Sequence, residues 1–467
     1  MEIKGKKVLV FGSGISGEAA AVLLLQEGAE VVLYDGNDKL NEEEIVRRIG
    51  EQVSQVAEEG AGACLAEAAG RLRAVLGAFP EELIHEISLT VISPGVPTDL
   101  PAVEQMREAG IPIWGEIELA YALGKGDVLA ITGTNGKTTT TALLGQIMAN
   151  WKESTFVVGN IGNPYTSIVP ETREDSVIVA EMSSFQLETV HTFRPRVSAI
   201  LNITPDHLNR HHTMEAYIAA KERIAENQTK EDVCVLNYED EVLRGFGEKV
   251  SAGVLYFSSR RKLKRGVYLD GDMIVCGLDG KIPVCSVSEL QILGTHNYEN
   301  AMAATAMAYA YGVPMDIIRE TLKEFAGVEH RIEFVAEKNG VAYYNDSKGT
   351  NPDAAIRGIQ AMNRPTVLIG GGYDKESSYD DWIQAFDGKV KKLVLIGATR
   401  EKIAQTAENL GFTNTVMTDT FEEAFEKCVE YARPGDAVLL SPACASWGMF
   451  KNYEERGDKF KELVKQL

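Results

Sequence analysis

Positive charge is in short supply in this chain. Against 68 Asp and Glu stand only 47 Lys and Arg, a formal net charge of -21 over 467 residues. That deficit excludes a general nucleic-acid-binding surface, which has to be basic. It leaves room for an anionic small substrate, provided the basic residues gather at one site. Long apolar runs are missing too. A bilayer crossing takes roughly 20 consecutive apolar residues, and no stretch reaches that, so a soluble cytoplasmic protein without membrane insertion is expected. The opening MEIKGKKVLVFGSG is basic and then apolar, like the start of a signal peptide, but glycine interrupts the run at once and the segment reads as a first strand. The six cysteines, Cys64, Cys234, Cys276, Cys285, Cys428 and Cys444, show no C-x-x-C spacing. Most lie in apolar strand-like or helical contexts, which suits buried free thiols. No long-period repeat and no low-complexity tract is present. What remains, 45% hydrophobic and 25% charged, is ordinary for a globular protein. The length suggests about three domains.

Three segments each restart with a Val/Ile/Leu strand and a glycine turn: KVLVFGSG at 7–14, VLAITGTNGK at 128–137 and PTVLIGGG at 365–372. Between them strands alternate with helical stretches, the pattern of βαβ units and mainly parallel sheets. Further strands are expected at Val31–Asp35, Leu89–Ser93, 176–182, 197–204 and in KKLVLIGA and AVLLSPA. Helices are expected over 41–80, 214–227 and 297–311. Short strands with Gly-Asp and Asp-Gly turns near 254–276 suggest a small β excursion. Domain boundaries fall near 123 and 327, giving domains at 1–123, 124–327 and 328–467.

The strongest single motif is TGTNGKTTT at 132–140, between an apolar strand and a helical stretch. Backbone amides of such a glycine loop bind phosphate oxygens, helped by the positive end of the helix dipole. Lys137 would reach the terminal phosphates and the Thr138 hydroxyl would ligate Mg²⁺. The loop is a shortened G-x-x-G-K-T form, with Gly133 and Gly136, because Ile131 stands where the longer pattern has its first glycine.

GSGISG at 12–17 matches G-x-G-x-x-G after a strand, and Asp35 ends the next strand. NAD(P), another nucleotide diphosphate, or a tight turn without ligand all fit this motif. The second phosphate loop downstream favours a UDP-type ligand. Glu181 closes one strand and His207 follows another, so parallel strands could aim both at one cleft; a solvated loop histidine and an ordinary strand-end acid are the alternative. Lys221, within YIAAKERI, reads by pattern alone as a solvent-facing helical lysine. Asn297, His330, Arg331 and Asp346 are unremarkable one at a time.

Together these stretches resemble the Mur ligase family. The matching segments are GSGISG, SPGVP, TGTNGKTTT, GNIG, EMSSFQLE, LNITPDHL, AAKERI, GTHNYENAMAA, EHRIE, NDSKGTNPDA and SPACASWGMFKNYEERGDKF. They run from one end of the chain to the other. The pair DSKGTN and SPACAS points to the branch that adds D-glutamate to UDP-N-acetylmuramoyl-L-alanine. The resemblance implies an α/β chain of three domains: a UDP-binding Rossmann-like domain, a central P-loop ATPase-type domain with a mainly parallel sheet, and a Rossmann-like C-terminal domain that binds D-glutamate. It implies ATP and Mg²⁺ as cofactors and an acyl-phosphate intermediate, and the enzyme is expected to be a monomer.

Residue by residue, the resemblance assigns Gly133, Thr134, Asn135, Gly136, Lys137, Thr138, Thr139, Asn297, Arg331 and Asp346 to ATP. Arg331 would reach the nucleotide only on closure of the third domain. Lys137, Glu181, His207 and Lys221 are implied to be catalytic, with Thr138, Glu181, His207 and Lys221, the last as a carbamate, near the metal. Ile15, Ser16, Asp35, Gly95, Asn160 and Ser183 are implied for the UDP substrate. Lys348, Thr350, Lys375, Ser446 and Tyr453 are implied for D-glutamate, whose two carboxylates need cations and hydroxyl or amide donors. Three departures from the family pattern stand out. Residues 50–85 form a longer segment. Gly36 and Asn37 follow Asp35 where a hydroxyl and a basic residue are expected. Tyr453 stands where phenylalanine is familiar. Other readings remain: a sister ligase with another amino acid or a folate acceptor, a nucleotide-sensing module without catalysis, and an NAD(P) oxidoreductase built on GSGISG.

Overall fold

The structure is a computed structural model that describes residues 2–56, 70–375 and 377–467. The chain is α/β, built on three mostly parallel sheets with helices between the strands. It divides into two compact units. The first is Met1–Tyr268, Cys276–Ile282 and Met302–Ile318; the second is Leu269–Val275, Pro283–Ala301 and Arg319–Leu467.

The first unit carries two of the sheets. Strands β1 (Lys7–Phe11), β2 (Glu30–Asp35), β3 (Leu72–Leu76), β4 (Leu89–Ile92) and β5 (Ile113–Gly115) pair in parallel in the order β3-β2-β1-β4-β5. β1 is apolar and buried from residue 8 to 11 because both faces are covered there. Val8 and Val10 enter one core with Leu24 and Leu33. Leu9 and Phe11 enter another with Val103 and Met106. The strand order reverses between β1 and β4, which opens a crevice at their carboxyl ends.

The second sheet uses β6 (Asp127–Thr132), β7 (Thr155–Gly159), β8 (Val177–Glu181), β9 (Val197–Ile200), β10 (Val233–Asn237), β11 (Gly253–Ser258) and β12 (Val267–Asp270). These run in the order β12-β11-β10-β9-β6-β8-β7. β6 lies between β8 and β9 and pairs with both in parallel.

After β13 (Met273–Cys276) and β14 (Ile282–Ser286), the second unit carries the third sheet. Its strands are β15 (Glu333–Lys338), β16 (Val341–Asn345), β17 (Thr366–Gly371), β18 (Val390–Ile396), β19 (Thr415–Met417) and β20 (Ala437–Leu440), in the order β15-β16-β20-β17-β18-β19. Among the described residues of this sheet, β15 runs antiparallel to its neighbour and the other pairs are parallel. It joins β16 through Asn339-Gly340, both at positive φ, the two-residue turn whose twist matches the strands.

Most expected elements are present. One correction concerns 41–80, expected to be helical throughout. The helix is Glu42–Val56, and Leu72–Leu76 is the edge strand β3. Its LRAVL carries a β-branched residue and buries Leu72, Ala74 and Val75. The helix expected over 214–227 ends at Glu222 and tightens into a 3-10 turn at Arg223–Ala225. The β excursion expected near 254–276 is present as β11, β12 and β13, with Gly271-Asp272 as the two-residue connection from β12 to β13. Cys234, Cys276, Cys285, Cys428 and Cys444 are buried and free, as expected, while Cys64 lies outside the described residues.

Candidate functional site

In the first unit the phosphate loop bridges β6 and the helix Lys137–Ala149. Gly136 caps that helix at φ 86, a left-handed conformation that glycine adopts without strain. The loop is clamped from beside β9. The Asn135 N–H donates to Asn202 Oδ1 at 2.8 Å, and Asn202 Nδ2 returns a bond to the Asn135 carbonyl at 3.0 Å. Thr134 Oγ1 lies 3.0 Å from the Tyr217 hydroxyl. Neither Asn202 nor Tyr217 was singled out from the sequence. The only signal for Asn202 was its place directly after a strand that runs beside the loop's own.

Two lysines share one carbonyl. Lys137 Nζ donates to the Gly133 and Thr134 oxygens, both at 2.9 Å, and Lys221 Nζ donates to the Gly133 oxygen at 2.8 Å. Lys221 is not solvent-facing, as pattern alone suggested. It is 2% exposed, with its ammonium 4.7 Å from the centre of the Tyr217 ring. Burial, and then the positive charge of Lys137, push its pKa down to about 7. That shift penalises the ammonium form by ~5 kcal/mol.

Glu181 ends β8 and is 1% exposed. Its Oε1 accepts from Asn160 Nδ2 at 2.8 Å, while buried Oε2 has no hydrogen-bond partner among the described residues. A buried carboxylate oxygen left without a donor is costly, and a hard cation is the partner that chemistry suggests. Thr138, at the head of the helix, adds a hydroxyl. His207 is exposed, at φ 52, and its ring packs 5.0 Å from Phe185, beside Asp206. Glu181 and Thr138 offer the oxygen ligands that suit a Mg²⁺ ion, whereas exposed His207 offers a ring nitrogen.

At the first sheet's crevice, a Cβ on Gly17 would lie 1.8 Å from the Gly12 oxygen, and Gly12 itself stands at φ 103, which glycine adopts without strain. Asp35 Oδ2 accepts from the Ser13 N–H at 2.9 Å and from Ser13 Oγ at 2.6 Å, and Oδ1 accepts from the Asn37 N–H. Burial opposes its ionisation, but these bonds prevail and hold its pKa below the ordinary carboxylate value. Asp35 therefore braces the glycine turn itself. Ile15, 79% exposed at the start of the helix Ile15–Gln26, and Gly95, on the turn after β4, flank the same crevice. Ser16 is the next residue of that helix. Ser183 stands after β8 and caps the following turn through Gln186.

Asn297, Arg331, Asp346 and the D-glutamate set lie in the second unit. The Asn297 amide donates to the Leu293 oxygen at 2.8 Å. Asp346 follows β16, fully buried, and burial pushes its pKa up to about 7 despite a 2.6 Å bond from Ser441 Oγ. Its Oδ1 accepts from the N–H of Ile332, which stands at φ 48 next to exposed Arg331. A β-branched residue at positive φ is strained by ~1–3 kcal/mol. Such strain is found most often at sites that use it.

Lys348 and Thr350 follow β16, Lys375 follows β17 and Ser446 follows β20, so three adjacent parallel strands deliver them to one edge of the sheet. Tyr453 opens the helix Tyr453–Lys465. Beneath them lies Arg456, 1% exposed and not foreseen from sequence. It donates to Ser347 Oγ at 2.9 Å, the Ser347 oxygen at 2.8 Å and the Cys444 oxygen at 3.2 Å, tying the DSKGTN and SPACAS loops together.

Three family profiles match in succession: the Mur ligase MurD-like N-terminal domain at 6–115, the Mur ligase middle domain at 131–308 and the Mur ligase glutamate ligase domain at 330–444. The chain is 58% identical to a UDP-N-acetylmuramoylalanine--D-glutamate ligase of Lachnoclostridium phytofermentans, over 100% of this chain and 99% of that one. It is 44% identical to the protein of the same name from Clostridioides difficile, over 100% of both chains. Among solved structures, a UDP-N-acetylmuramate-alanine ligase of Thermotoga maritima aligns over 99% of each chain, with a TM-score of 0.57 and 19% identity, a likeness of fold.

Proposed function

The chain belongs to the Mur ligase family, and we propose that it joins D-glutamate to UDP-N-acetylmuramoyl-L-alanine with cleavage of ATP to ADP and phosphate. It is an ATP-dependent amide-bond-forming ligase of peptidoglycan precursor synthesis, acting in the cytoplasm as a monomer. The observation that carries this reading is Lys221, buried under the phosphate loop beside Lys137 on the Gly133 carbonyl. Residues 1–123 take the UDP-linked acid, 124–327 the ATP and 328–467 the D-glutamate.

A carboxylate is a poor acyl donor at neutral pH. One oxygen of the terminal alanine carboxylate attacks the γ-phosphorus, the bond from that phosphorus to the β,γ-bridging oxygen breaks, and ADP leaves. The resulting acyl phosphate has a good leaving group. The amine of D-glutamate attacks its carbonyl carbon, the tetrahedral intermediate loses a proton, and the C–O bond to phosphate breaks. Loop amides and Lys137 hold the phosphates and offset repulsion between two anionic reactants. Lys221, partly neutral near pH 7, is a competent nucleophile towards CO₂. It forms an N–C bond, releases a proton and becomes an anionic carbamate. With Thr138, Glu181 and His207 it would hold Mg²⁺, which when bound screens phosphate charge. Asn297, Arg331 and Asp346 are assigned to the nucleotide. Ile15, Ser16, Asp35, Gly95, Asn160 and Ser183 are assigned to the UDP substrate, with Asp35 acting through the turn it braces.

The test is ADP formation with UDP-N-acetylmuramoyl-L-alanine and magnesium, with and without each of several amino acids. D-glutamate should stimulate it and yield the ligated product. Stimulation by another amino acid instead, or none, overturns the assignment.

A further inference from the structure

Lys375 and Lys348 each stand over an aromatic ring. Lys375 Nζ is 5.1 Å from the centre of Trp447, and Lys348 Nζ is 5.5 Å from that of Tyr453. Trp447 is 54% exposed, unusual for the largest apolar side chain, and its ring meets exposed Tyr373 edge-on at 5.5 Å. Burial in a core does not explain this pair of rings.

The backbone beneath them is fixed. Tyr373 and Ala445 form an isolated antiparallel bridge, with the Tyr373 N–H donating to the Ala445 oxygen at 2.9 Å. A Cβ on Gly372 would meet that oxygen at 2.4 Å, so the two loops touch backbone to backbone. Asp374, the acid next in sequence to Lys375, pairs with Lys402 at 3.3 Å. An aromatic face attracts an ammonium without neutralising it. A lysine positioned by a carboxylate would have much of its charge cancelled, whereas one positioned by a ring keeps it for an incoming anion.

We propose that Trp447 is a positioning residue that holds the Lys375 ammonium for one carboxylate of the amino-acid substrate. This rests on the D-glutamate reading above.

The test uses the full-length enzyme at saturating ATP and UDP-linked acid. Trp447→Ala should raise the KM for D-glutamate about fivefold, the scale of an exposed cation–π contact, with kcat within twofold. Trp447→Phe, which keeps a ring, should recover most of the loss. Trp447→Ala should add nothing further in a Lys375→Ala background, because the ring acts through the lysine. An unchanged KM in Trp447→Ala, or full additivity with Lys375→Ala, overturns the inference while wild-type D-glutamate ligation stands. Should the wild-type enzyme not ligate D-glutamate, the functional reading falls first.

Discussion

Lys221 and Lys375 are both cations set to meet anionic chemistry, yet the protein treats them in opposite ways. Lys221 is buried against a backbone carbonyl and a second lysine, and its proton is loosened until its pKa is about 7. Lys375 lies exposed over an indole ring. The phosphate-loop region thus changes the chemical character of its lysine, while the proposed amino-acid region sets only the position of its lysine, over a ring. A residue that is to become a covalent adduct needs desolvation. A residue that only has to recognise a carboxylate is best left charged.

The contrast can be broken most sharply at the loop. Lys137→Ala should cut product formation by about a thousandfold, the upper range for removing one donor from a charged transition state, with the melting temperature close to wild type. Normal turnover would remove the phosphate-loop assignment. Lys221→Ala comes next, at about a hundredfold loss, partly restored by short-chain carboxylic acids that replace the carbamate's oxygens.

The same residue leaves a trace in stability. Its folded pKa of about 7 lies below the ordinary 10.5, so the unfolded chain holds the extra proton across that window. Its contribution to stability therefore rises with pH from about 7 to 10.5 and is flat below 7. Melting curves of Lys221→Met against pH should lose that slope.

At the amino-acid end, Arg456→Ala leaves the Ser347 and Cys444 carbonyls without their donor, at a cost of roughly 3 kcal/mol, read in denaturant titration. Wild-type stability in that variant would deny that the arginine ties the loops. The smallest effect belongs to Tyr453→Phe, less than twofold on the KM for D-glutamate, because the ring and not the hydroxyl faces Lys348.

The parallel sheets were legible because the stretches 8–11, 128–131 and 367–369 are apolar on both faces and run into glycine turns. The Asn339-Gly340 turn is a plain hairpin signal in the sequence. β3 was hidden because LRAVL sits inside a Glu- and Ala-rich stretch whose composition favours helix. Lys221 is the instructive case within the site. On its helix it has the spacing of a surface lysine, and only the packing of that helix under the loop makes it buried. Arg456 and Asn202 act on backbone groups far away in sequence, which no local pattern encodes. Trp447 was visible as a letter, but its exposure was not.

The Gly133 carbonyl is a shared tether, and what happens at one end of it is felt at the other. Lys137 contributes to the low pKa of Lys221. In the proposed reading, a triphosphate that neutralises the Lys137 charge removes one cause of that low pKa, and Lys221 then reacts less readily with CO₂. Priming is therefore easiest before the nucleotide loads, and enzyme preincubated with bicarbonate should start its first turnover without a lag.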